Sequence, residues 1–236
     1  DNAGGQVIAG AGLTARAGQA LRNEGGLLAV RGAQADLRLA AASLDNTDGR
    51  IANAVDSQGD VRLDLGGALD NTRGRIGADR DVSVRASELR GAGEIVARRD
   101  LALTLDSGYA HREGNVLSSG RDLNLHLGGD FVNPAQGTMP KAEGEPLAFA
   151  AVRDLRVEAA NIANSGDLVA GGALTLKARR VDNSGSIVGG SVFAQASEEI
   201  RNEGPAALIG AADGSGLLEL LAPRIVNRDP VTATDS

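Results

Sequence analysis

Leu69-Asp70-Asn71-Thr72-Arg73-Gly74-Arg75-Ile76, followed by the alternating run Asp81-Val82-Ser83-Val84, is the stretch whose reading decides the fold. Its first half has the chemistry of a turn, because Asn tolerates left-handed backbone geometry and Gly accepts positive φ without a Cβ penalty. Its second half has the chemistry of a short strand, apolar at every other position. The same unit recurs on both sides. Leu44-Asp45-Asn46-Thr47-Asp48-Gly49-Arg50-Ile51 leads into Val61, Leu63 and Leu65, and Ile162-Ala163-Asn164-Ser165-Gly166-Asp167-Leu168 leads into Leu174 and Leu176. Val181-Asp182-Asn183-Ser184-Gly185-Ser186-Ile187 leads into Val192. The chain is a repeat protein.

An apolar-x-Asn step ends at Asn23, Asn46, Asn71, Asn133, Asn164, Asn183, Asn202 and Asn227. Apart from the gaps after Asn71 and Asn133, adjacent anchors lie roughly 19 to 25 residues apart, the length of one coil of a solenoid. Two coils depart from the pattern. Leu89-Arg90-Gly91-Ala92-Gly93-Glu94-Ile95 replaces Asn by Gly, and the coil near Arg112-Glu113-Gly114-Asn115-Val116 reads as lacking its leading apolar residue. After each turn come a small apolar strand, a Gly-centred corner such as Ser119-Gly120-Arg121-Asp122, and a longer alternating strand such as Leu123-Asn124-Leu125-His126-Leu127. Connections this short forbid pairing within a coil, so each strand is expected to pair in parallel with its counterpart one coil on. The fold implied is all-β: a parallel β-helix of roughly ten coils.

Stacked coils bring equivalent corners about 4.8 Å apart, so the anchor amides can hydrogen-bond along the stack as a structural ladder. An unpaired buried amide would cost on the order of 1–3 kcal/mol, so the ladder should be continuous except at the Gly91 coil. Composition agrees with a narrow, regular interior. The 236 residues include 33 glycines, no Cys or Trp, one Tyr and three Phe, which leaves Leu, Val, Ile and Ala to fill the core. A disulfide framework or thiolate metal site is excluded, and no cofactor is expected. The net charge of −7, with both signs interspersed, gives no concentrated basic face for nucleic acid. No run of about 18 apolar residues suggests a membrane helix. The opening Asp1-Asn2-Ala3-Gly4-Gly5-Gln6-Val7 reads as a repeat already entered, so the chain is expected to be a piece from inside a longer array.

One segment breaks the pattern. Residues 134–151 hold three of the six prolines and the only methionine, and Pro interrupts ladder pairing. This is read as an insertion bulging from one corner, with Met139, Lys141, Glu143, Glu145 and Phe149 as a candidate recognition loop. The expected organisation is a repeat array over 1–229 and a polar tail over 230–236.

Repeats of the form apolar-x-Asn-x-x-Gly-x-Ile, then Gly-x-Asp-Leu-x-Leu, resemble the haemagglutinin repeats of filamentous haemagglutinins and of the stalk of CdiA-type contact-dependent inhibition effectors. Residues 69–84, 119–129 and 162–176 match best, and the resemblance extends over nearly the whole chain outside the insertion and tail. It implies a right-handed β-helix exported by an outer-membrane two-partner secretion transporter and displayed on, or released from, a Gram-negative cell. A target-cell surface receptor is a further expected partner, and the fragment itself is expected to be monomeric. The expected function is a non-enzymatic stalk segment that presents a receptor-binding or toxin region.

Parallel β-helices also host polysaccharide lyases and tailspike-like hydrolases, whose chemistry needs clustered carboxylates or a base with Arg partners on one face. His126 alternates with Leu125 and Leu127; it could act as a base beside Asp122 but reads better as a solvated strand residue. His111 sits in a corner, where surface recognition is the functional alternative. Asp79, Asp81, Asp100, Asp122 and Asp154 recur before strands and read as turn formers, since the Gly-Gly-x-Gly-x-Asp period of calcium-binding repeats is absent. The pairs Arg98-Arg99 and Arg179-Arg180 could touch sulfated glycans but read as a solvated face.

Overall fold

A computed structural model describes residues 1–135, 149–211 and 216–228. Among the described residues every regular element is a strand, and every strand pairing is parallel. The strands stack into a parallel β-helix of about nine turns, slightly fewer than the repeat spacing suggests. Each turn contributes a short wall strand, a longer wall strand and a corner strand that leads into the Asn position.

The short wall stacks Gln6–Ala9, Leu27–Val30, Arg50–Ala52, Arg75–Ala78, Glu94–Ala97, Val116–Ser119 and Phe149–Ala151 in that order. An isolated bridge between Ala151 and Ala170 carries it on to Asp167–Val169, Ser186–Gly189 and Leu208–Ala211. The long wall runs from Leu13–Arg16 through Val61–Leu65, Val82–Ala86, Leu101–Leu105 and Leu123–Leu127 to Leu218–Leu221. In Ala173–Asn183 and Ser191–Glu203 the long wall and the following corner run together as one strand.

Alternation explains why these segments are strands. In Val61–Leu65 the apolar Val61, Leu63 and Leu65 are buried while Arg62 and Asp64 face solvent. Register places like on like: Val82 lies between Val61 and Leu101, and Leu123 between Leu101 and Leu155. Each buried Leu or Val contributes about 1.5–3 kcal/mol, but only when the coils above and below cover it. The glycine of Asn-x-x-Gly also follows from stacking. A Cβ at Gly74 would run into the Asn46 carbonyl of the preceding coil and the Asn71 amide of its own.

Two sequence expectations change here. The coil near Arg112 has not lost its leading apolar residue. Tyr109 pairs with Phe131 and Ala110 with Val132, so Tyr109-Ala110-His111 stacks under Phe131-Val132-Asn133 and His111 takes the Asn position. Phe149 is not part of a recognition loop: it opens the wall strand Phe149–Ala151, pairs with Leu117 and is 8% exposed. It resumes the apolar wall as soon as the inserted residues end. The remaining insertion residues singled out, Met139, Lys141, Glu143 and Glu145, lie outside the described residues, as does the tail from 230 onward.

Candidate functional site

The corner of the rod carries its most ordered polar array. Asn2 Nδ2 donates to Asn23 Oδ1 at 2.7 Å, Asn23 to Asn46 at 2.8 Å, and Asn46 to Asn71 at 2.8 Å. A second run passes from Asn133 to Asn164, Asn183 and Asn202 at 2.7 Å each, and on to Asn227 at 2.8 Å. Each ladder bond points the same way along the chain. The second amide proton reaches nearby carbonyls, as where Asn164 Nδ2 lies 3.0 Å from Gly166 O and 3.1 Å from Ser186 O. Most of these amides are buried, so their function is internal: they satisfy the corner backbone and fix the coils in register. Asn2 was legible as a member from the Gly4-Gly5-Gln6-Val7 that follows it.

Between the two runs the amides stop. Asn71 donates instead to the Glu94 carbonyl at 3.2 Å, Gly91 stands in the next Asn position, and His111 in the one after. His111 is fully buried, which removes it from surface recognition. Its Nδ1 lies 3.0 Å from the Tyr109 hydroxyl, which also accepts from Asn115 Nδ2 at 3.1 Å. Phe131 stacks on Tyr109 with ring centroids 6.4 Å apart, and Phe149 meets both Phe131 at 5.5 Å and His111 at 5.2 Å. Burial pushes the Tyr109 phenol well above its ordinary range, against the opposing hydrogen bond from Asn115. Beside this aromatic plug the corner opens into a cleft of about 520 Å³, lined among others by Leu89, Tyr109, Arg112, Asn115 and Asp130.

A second ladder, on the approach to the long wall, was not recognised from the sequence. Arg99 forks onto Asp81 at 2.8 and 2.5 Å, Arg121 onto Asp100 at 2.8 and 2.6 Å, and Arg153 onto Asp122. Each Arg-Asp dipeptide thus grips the Asp one coil before it. The signal was the recurrence of Arg-Asp at 80–81, 99–100, 121–122 and 153–154. The bidentate hydrogen bonds from Arg153 hold the Asp122 carboxyl below its usual range despite partial burial. Asp60 behaves oppositely: burial, then the Asp81 and Asp36 charges, push it up against the pull of Arg80.

These pairings bear on the candidate base at His126 and its neighbour Asp122. Asp122 is engaged by Arg153 rather than by His126, and His126 is an exposed strand residue whose Nδ1 lies 3.6 Å from Glu158 Oε2. Arg98 pairs with Asp79 at 3.4 Å, and Arg180 with Glu198 at 2.7 Å. Among the described residues no group of three or more His, Cys, Asp or Glu is arranged to hold a metal ion. No described helix is long and apolar enough to cross a membrane.

Comparison with known proteins agrees with the repeat architecture. The family model for the haemagglutinin repeat matches residues 1–73, 56–133 and 150–222. The chain is 42% identical over 202 residues to a tRNA nuclease CdiA-2 of Burkholderia pseudomallei strain 1026b, covering 86% of this chain and 6% of that protein. It is 30% identical over 109 residues to a toxin CdiA of Yersinia pestis, covering 46% of this chain and 3% of that protein. The chain therefore spans a small fraction of the length of these relatives. No solved structure matches it. With a stack of Asn-anchored parallel coils and a family match over most of its length, the chain belongs to the haemagglutinin-repeat family.

Proposed function

We propose that this chain is a non-enzymatic structural stalk segment of a large secreted or surface-displayed bacterial protein, an adhesin or contact-dependent growth inhibition effector. Its task is to extend the rod that presents a receptor-binding or toxin region. The observation that carries the reading is that the residues defining the repeat, the anchor Asn and the wall Leu and Val, are spent on the interior of a continuous stack. Export by an outer-membrane two-partner secretion transporter, display on a Gram-negative cell and engagement of a target-cell receptor belong to this proposal for the whole protein. The long alignment to a CdiA effector within a small part of its length supports it.

A spacer acts through length. Replacing these coils in the full-length protein by an equal number of consensus coils should preserve export and target-cell effect. Removing three whole coils, cut at equivalent anchors, should leave export intact and reduce delivery. Loss of activity in the equal-length replacement would show that this segment contributes a surface of its own. The alternative, a carbohydrate-active β-helix enzyme, predicts release of reducing or unsaturated sugar ends from polysaccharide; the stalk reading predicts none.

A further inference from the structure

The cleft at the corner between the Gly91 and His111 turns has a cause that can be read residue by residue. Counted from the Asn position, the short wall begins four residues on at Arg75 in the Asn71 coil. It begins three residues on at Glu94 in the Gly91 coil, and five on at Val116 in the His111 coil. A short turn therefore lies directly beneath a long one. Gly91, at φ +77°, lies so close to the coil below that a Cβ would collide with Thr72. A Cβ at Gly108 would likewise collide with the Asp130 backbone of the coil above. The two corners are drawn apart.

The result is a break in strand pairing. Glu88–Arg90 pairs only with Ala68–Asp70, and Tyr109–Ala110 only with Phe131–Asn133, so the corner sheet is split while both walls remain paired across the same coils. Asn23, Asn46, Asn71 and His111 each donate their backbone N–H to a carbonyl of the following coil, at 2.7, 2.8, 3.0 and 2.8 Å. Among the described residues Gly91 makes no such bond. The cleft thus exposes unused main-chain edge inside an otherwise saturated ladder. Its charges are unequal in availability. Glu88 and Arg90 are paired with each other at 2.8 Å, and Asp130 accepts from Asn161 at 2.7 Å. Arg112 is exposed and has no ion pair among the described residues, while its neighbour Glu113 is not on the cleft wall.

We propose that this cleft binds an extended acidic peptide segment of a partner protein. The peptide backbone pairs with the open edge of Glu88–Arg90 and Gly91, and a carboxylate seats on Arg112. Unpaired strand edges are templates for strand addition, with main-chain hydrogen bonds supplying affinity and side chains supplying choice. A peptide is favoured over a glycan because the one aromatic of the cleft, Tyr109, is 5% exposed and offers no stacking face.

The test uses the whole chain and fluorescein-labelled hexapeptides alternating valine with glutamate, followed by fluorescence anisotropy. The glutamate peptide should bind, and its valine-lysine counterpart should not. Arg112→Glu should weaken binding by about tenfold or more, and Arg112→Gln by less. Methylating alternate backbone nitrogens of the peptide should weaken it by a similar factor, because that blocks the edge. Arg112 is exposed, so both variants should keep the β circular dichroism and melting temperature of the parent. Absence of binding at about 1 mM glutamate peptide overturns the proposal. So does equal binding by the lysine peptide or by Arg112→Glu, and so does a sulfated oligosaccharide that occupies the cleft in place of the peptide.

Discussion

Replacing Asn183 by leucine removes one rung of the amide ladder while keeping the number and branching of side-chain heavy atoms, so lost hydrogen bonding is the leading effect and the added bulk of two methyl groups comes on top of it. The side chain is 2% exposed. Its Nδ2 donates to Asn202 Oδ1 at 2.7 Å and reaches the Gly185 and Leu208 carbonyls at 2.9 and 3.1 Å. Its Oδ1 accepts from Asn164 at 2.7 Å. The substitution deletes the bonds of two N–H protons and one accepted bond, each worth about 1 kcal/mol net. Asn164 Nδ2 keeps the Gly166 and Ser186 carbonyls, which relieves one orphaned group, whereas Asn202 Oδ1 loses its ladder donor. The expected destabilisation is therefore about 2–3 kcal/mol.

The control is Asn227→Leu. That rung is the last described one and accepts a single ladder bond at 2.8 Å in an exposed position, so its loss should cost less than about 1 kcal/mol. The Gly91 turn cannot serve as control, because any side chain there meets Thr72 at a positive φ. Urea unfolding followed by circular dichroism gives the midpoints. Hydrogen exchange shows where the loss is felt, since stacked repeats can open in parts. If Asn183→Leu matched the parent, or cost no more than Asn227→Leu, the buried ladder would not be a source of stability.

Phe131→Ala should cost about 3–5 kcal/mol, because the ring is fully buried between Tyr109 and Phe149, whereas Phe193→Ala on a half-buried site should cost roughly 1 kcal/mol. Equal losses in urea titrations would contradict the aromatic plug. Asp60 has a raised pKa in the fold, so the proton is held more tightly folded than unfolded; its contribution favours folding at low pH and is lost as pH rises through the folded value. Asp60→Asn should accordingly raise the midpoint at pH 7, by less than about 1 kcal/mol, with the gain vanishing below about pH 4. A lowered midpoint at pH 7 would refute that sign. His126→Ala should lie within about 0.5 kcal/mol of the parent, since the ring is solvent-facing and its one ionic neighbour, Glu158, is also served by Lys177.

The walls and the anchor amides were legible because they obey short-range rules: alternation sets which face is buried, and Asn-x-x-Gly marks where each coil turns. Tyr109 was not, because Tyr-Ala-His matches none of the anchor residues, and only the pairing of Ala110 with Val132 reveals what it replaces. The Arg-Asp ladder stayed hidden for a related reason. Its dipeptides are visible, but coil lengths vary, so which Asp each Arg meets is settled by register and not by spacing. Phe149 reads as part of the insertion because prolines mark where pairing stops, while nothing so local marks where it resumes. The cleft depends on the difference between two adjacent turns, a quantity that exists only after the coils are aligned.

The interruption at Gly91 and His111 divides the polar interior into two ladders, and this fixes how substitutions should combine. Within a ladder each amide both donates and accepts along one direction, so neighbouring rungs share a bond and polarise one another. Across the interruption no amide bond passes: Asn71 ends on the Glu94 carbonyl, and Tyr109, His111, Phe131 and Phe149 fill the gap with apolar and edge-on contacts. Asn164→Leu and Asn183→Leu delete the same 2.7 Å bond, so the double variant should be less destabilised than the two singles together by about 1 kcal/mol. Asn46→Leu and Asn183→Leu touch separate ladders and should add to within about 0.5 kcal/mol. Double-mutant cycles in urea measure both quantities against the same parent. Coupling of the distant pair as strong as that of the neighbours would mean that the aromatic plug transmits what the amides do not. Strict additivity of the neighbours would mean that each rung stabilises its own turn alone, and that the ladder is a row of separate caps.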